Sequence, residues 1–60
     1  MAKYTKLKKT INRMVKRELI EKEIKYKLFE LTVAEYEEAG DNPDDAKEQD
    51  LVEIAGASSL

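Results

Sequence analysis

The residues that most readily interrupt a helix all stand late in this chain. Gly40, Pro43 and Gly56 are its only glycines and proline, so the first 39 residues contain neither. With no turn signal in that stretch, the chain has no easy place to fold back as a hairpin. The alternation Ile24-Lys25-Tyr26-Lys27-Leu28 could be read as a short strand. The pairs Glu18–Lys22, Glu21–Lys25 and Glu23–Lys27 point the other way, because each sets Glu four residues before Lys, the favourable order on a helix. The spacing therefore predicts one long helix from about Tyr4 to Glu30, or two nearly continuous ones.

Its apolar stripe does not run straight. Tyr4, Leu7, Ile11, Met14 and Val15 recur at helical spacing, but the position that should continue the stripe is Glu18. A second set follows in Ile20, Ile24, Leu28 and Leu31, about a third of a turn or more away at ~100° per residue. Either the helix kinks near Arg17–Leu19, or it stays straight and offers two faces to two neighbours. On the second alternative Tyr4, Leu7, Ile11, Met14, Val15, Ile20, Ile24 and Leu28 are candidate partner-binding residues.

Thr32 with Glu35 three residues on has the pattern of a capping box, and Leu31 and Tyr36 stand where a hydrophobic staple would. These predict a short helix Val33–Ala39 ended by Gly40. Asn42 as N-cap, Pro43 in the first turn and the aspartates behind it predict a further helix Pro43–Ala55 ended by Gly56. The expected fold is all-α: a long N-terminal helix, a short second helix and a C-terminal helix, as a helical hairpin or small bundle. It would form a single domain over residues 1–56, with 57–60 a flexible tail.

Sixty residues bury a modest core, which small folds reinforce with a disulfide, a metal or a partner. With no Cys and no His, disulfides are excluded, and the commonest metal ligand and general base are missing. Ser58 and Ser59 have no base to activate them. Asp41-Asn42-Pro43-Asp44-Asp45 lacks the central Gly of a calcium loop. The expectation is a non-enzymatic protein with no cofactor, metal or small-molecule substrate. No stretch approaches the roughly 18 apolar residues of a membrane span, and no apolar core follows the basic start, so no membrane association and a cytoplasmic location are expected.

The remaining distinctive feature is charge. Residues 1–28 carry ten bases against three acids, a net +7, and residues 29–60 one base against ten acids, a net −9. Lys6, Lys9, Arg13, Lys16 and Arg17 fall opposite the Leu7/Ile11 stripe and are possible phosphate contacts. Against nucleic acid stand the missing binding motif, the missing aromatic platform and a pI of about 5.1. Two apolar faces and two oppositely charged halves favour another protein, or a second copy, as the partner. Nucleic acid bound by the basic helix is the alternative.

Leu31-Thr32-Val33-Ala34-Glu35-Tyr36-Glu37-Glu38-Ala39-Gly40 resembles the "Ile-Thr-x-x-Glu-Tyr…Gly" ending of small phage tail-module proteins of the XkdX type. The likeness covers ten residues of sixty. The basic helix before it and the Pro43 segment after it depart from that family's short pattern. The resemblance implies a phage-encoded accessory or virion protein, in the host cytoplasm or the virion, and assigns no site residue.

Overall fold

The conflict between the two apolar stripes is resolved by a break in the chain. In the computed structural model, which describes residues 3–57, the first helix, α1, covers Thr5–Lys16 and ends where the stripe is lost. Arg17 is its C-cap, and Glu18 takes the left-handed conformation at φ 60°. The Glu18 amide donates to the Val15 carbonyl at 3.0 Å and the Leu19 amide to that of Met14 at 2.9 Å. This is a Schellman closure, with Glu18 in the place usually held by glycine.

The chain turns through Leu19–Glu21, makes a short 3₁₀ turn at Lys22–Ile24, and continues as the second helix, α2, over Lys25–Glu38. A straight helix would have turned Met14 and Ile20 to different sides. The break lets both sets reach one core, and Leu7, Ile11, Met14, Ile20 and Leu28 are all buried in it. One long helix Tyr4–Glu30 is thus corrected to two, and the break falls at Arg17–Leu19, where the alternative reading set a kink. The three Glu–Lys pairs are not among the ion pairs of the described residues: Glu18 and Glu21 lie outside any helix, and Glu23 lies in the 3₁₀ turn before α2.

A second correction concerns Thr32. It does not cap a new helix; it lies in the interior of α2, fully buried, and its hydroxyl donates to the Leu28 carbonyl at 2.8 Å. With the chain upstream already helical and Leu28 and Thr32 on one inward face, there is no free helix start for the capping pattern to serve. The predicted short helix Val33–Ala39 is the second half of α2. Its end is as expected: Gly40 stands at φ 81°, its amide donates to Glu37, and the Asp41 amide donates to the Tyr36 carbonyl at 2.7 Å.

Asn42 caps as predicted, its side-chain oxygen accepting from the Asp44 amide at 3.0 Å. The segment it caps is a 3₁₀ turn, Pro43–Asp45, and the third helix, α3, begins only at Glu48 and runs to Ala57. A continuous helix from Pro43 would hold Ala46 and Leu51 about 140° apart. Both are buried, and an extended Ala46 (ψ 133°) makes that possible. Gly56 lies inside α3 rather than after it, and of the predicted tail Ala57 closes the helix while residues 58–60 lie outside the described residues. The described residues form an all-α bundle of three helices with a radius of gyration of 10.5 Å.

Candidate functional site

Helix α1 packs on both α2 and α3, and its polar surface divides between them. On one flank Arg13 and Arg17 reach the first residue of α3: Arg13 Nε stands 3.1 Å from one oxygen of Glu48, and Arg17 NH1 3.3 Å from the other. One carboxylate therefore joins two guanidiniums, and the basic and acidic halves meet here within the chain. Lys6, Lys9 and Lys16 are exposed, and none is in an ion pair among the described residues. Of the five possible phosphate contacts, two are thus engaged by the chain's own acid and three form an open ridge.

The eight candidate partner-binding residues are placed differently from an open docking face. Leu7, Ile11, Met14, Ile20 and Leu28 are buried in the chain's own core, with Tyr4, Val15 and Ile24 packed partly buried against it. This fold leaves neither stripe open.

The fold does leave open a cleft on the other flank of α1, facing the first turns of α2. It holds about 210 Å³ and is lined by Lys8, Ile11, Asn12, Lys25, Tyr26 and Phe29. The two helices run antiparallel, so the middle of α1 meets the start of α2. Ile11 and Phe29 supply an apolar floor. Lys8 holds its ammonium 5.4 Å from the Phe29 ring centroid, and Lys25 Nζ donates to Asn12 Oδ1 at 3.3 Å. The Tyr26 side chain is left 75% exposed at the rim. The volume falls below the roughly 300–1,000 Å³ usual for small-molecule pockets.

Sequence reasoning missed this arrangement, having found no aromatic platform. Lys25 and Phe29 are four residues apart on α2, a signal visible in the sequence. The contribution of Lys8 and Asn12 depends on how α1 returns against α2.

The acidic side of the molecule is built by the end of α2 and by α3. Between them Glu35, Asp41, Asp50 and Glu53 edge a second, more open groove floored by Ile54. Tyr36 spans it, its hydroxyl donating to Asp50 at 2.8 Å; that bond, with burial and the neighbouring carboxylates, pushes the phenol up to about 12. Tyr4 likewise donates to Glu37, which raises its pKa. Among the described residues no group of acidic side chains is disposed to hold a metal ion, and no helix is long and apolar enough to cross a membrane. Compared with protein-family models, curated proteins and solved structures, the chain shows no significant match.

Proposed function

We propose that the protein works without catalysis, by docking through its cationic flank onto an acidic surface of another protein or of a further copy of itself. The observation that carries this reading is the cleft at Lys8, Lys25, Tyr26 and Phe29: an apolar floor with a positively charged rim, on a helix whose Lys6, Lys9 and Lys16 are also exposed. A hydrophobic anchor fixed by a charged surround is the usual anatomy of a specific protein contact, where the anchor supplies affinity and the charges supply steering and register. Because the residues of both apolar stripes are packed in the core, the reading rests on this flank and not on the stripes. The setting we propose, on the likeness of Leu31–Gly40 to phage tail-module proteins, is a phage-encoded accessory or virion protein in the host cytoplasm or the virion.

Titration with polyglutamate, followed by backbone NMR shifts, tests the reading. Shifts confined to residues around Lys8, Lys25 and Phe29, and abolished by salt, are expected; shifts spread evenly over the surface, or none, would sink it. A second reading has one observation in its favour. Exposed Tyr26 beside lysines is the kind of platform on which the bases of single-stranded nucleic acid stack. Parallel titrations with single and double strands at low and high salt separate the two, since absence of binding at low salt ends the nucleic-acid reading.

A further inference from the structure

We propose that the occupant of the cleft between α1 and α2 is the α3 face of a second copy of this chain, with Val52 as the anchor. The inference rests on the docking reading and names its partner.

Three large hydrophobic side chains are exposed among the described residues: Leu19, Tyr26 and Val52. Two of them lie on oppositely charged parts of the molecule. Tyr26 rims the lysine-lined cleft. Val52, 46% exposed, stands on α3 with Glu48 one turn before it and Glu53 beside it. Gln49 and Gly56 share its outward face, and the glycine lets another surface approach closely. A valine fits a cleft of about 210 Å³ floored by Ile11 and Phe29. Seating it there would bring Glu53 toward the rim lysines and remove both exposed apolar groups from water. The complementarity is the charge split of the chain itself, now between molecules as well as within one.

The geometry also sets the kind of assembly. The cleft opens on the Lys8/Asn12 flank of α1, while α3 packs on the opposite flank, where Arg13 and Arg17 hold Glu48. Donor and acceptor surfaces are therefore on different sides of one molecule. Such a heterologous contact leaves a free cleft at one end and a free α3 at the other, so copies add head to tail and the pair does not close.

Sedimentation velocity of the whole chain over a range of concentrations tests this. At low salt the weight-average sedimentation coefficient should climb continuously with concentration, and at high salt it should fall to that of the monomer. Two variants, each placing helix-compatible groups at the surface, resolve the faces: Lys8→Glu with Lys25→Glu in the cleft, and Val52→Gln with Glu53→Gln on α3. Circular dichroism confirms that both are folded. Each alone should associate about tenfold or more weakly than the parent, since each lacks one half of the contact. Mixed in equal amounts, the intact α3 of the first should enter the intact cleft of the second and stop at a dimer. A parent chain that stays monomeric at every concentration in low salt overturns the proposal, as does a mixture that forms no dimer. A monomeric parent that still gives localised shifts with polyglutamate defeats self-assembly and leaves docking on another acidic protein standing.

Discussion

Glu18 shows how a single residue records a decision taken by the fold. Its left-handed backbone is unfavourable for any side chain with a Cβ, by about 1–2 kcal/mol. Glycine would relieve this, and its greater freedom in the unfolded chain takes back about 0.5–1 kcal/mol. Glu18→Gly should therefore stabilise the protein by about 0.5–1 kcal/mol, which raises the melting temperature of so small a domain by about 2–8 °C. Glu18→Ala, which keeps a Cβ, should give no such gain in the same melting experiment. Thr32 can be tested by shape. Buried within α2, it fills space, and its hydroxyl bonds a carbonyl of its own helix. Thr32→Val keeps the volume and should stay within about 0.5 kcal/mol of the parent in urea unfolding. Thr32→Ala opens a void and should cost about 1 kcal/mol or more. Were the residue a cap, both changes would weaken the protein alike.

Among the elements, the start of α1 is held across the fold rather than locally. Tyr4, the N-cap of α1, offers no side-chain acceptor, and the Leu7 amide instead donates to Asp44 Oδ1 at 3.1 Å, from the 3₁₀ turn 37 residues away. Asp44→Ala should cost about 1 kcal/mol, the ordinary loss for a removed cap, while Asp44→Asn keeps the acceptor and most of the stability. Hydrogen exchange at the Leu7 amide should accelerate in the alanine variant alone; unchanged exchange would show that α1 is held by something else. Helix α2 makes the same point through charge. It begins with Lys25 and Lys27 and ends with Glu37 and Glu38, against its own dipole. Two of those residues serve neighbours instead: Lys25 bonds Asn12 of α1, and Glu37 receives the Tyr4 hydroxyl.

Across the bundle as a whole, two phenols tie the helices together, Tyr4 to α2 and Tyr36 from α2 to α3. In both, the protonated hydroxyl is the bonded form, so folding raises the pKa. For Tyr36 this stability is intact below the ordinary value of 10.0 and is lost as pH climbs from there to about 12. Melting temperature should fall across that window, and Tyr36→Phe should flatten part of the fall. A parent chain whose melting temperature stays level between these limits would contradict the assignment.

Much of this protein is legible in short stretches of its chain: the all-α class, a stop at Gly40, the cap at Asn42, and the division into a basic and an acidic half. These are local matters, set by backbone freedom at glycine and proline, by capping chemistry and by composition. The contradiction at Glu18 also stands in plain view along the chain, but no local rule says whether it means a kink or two partners. The packing of the bundle settles it, because a single core must bury Met14 and Ile20 together. The same closure made Thr32 a packing residue, sent Asp44 to cap a helix distant in sequence, and brought Lys8 and Asn12 beside Phe29. Each depends on which helix lies against which, a choice made by the summed burial of the chain and not by any one stretch of it.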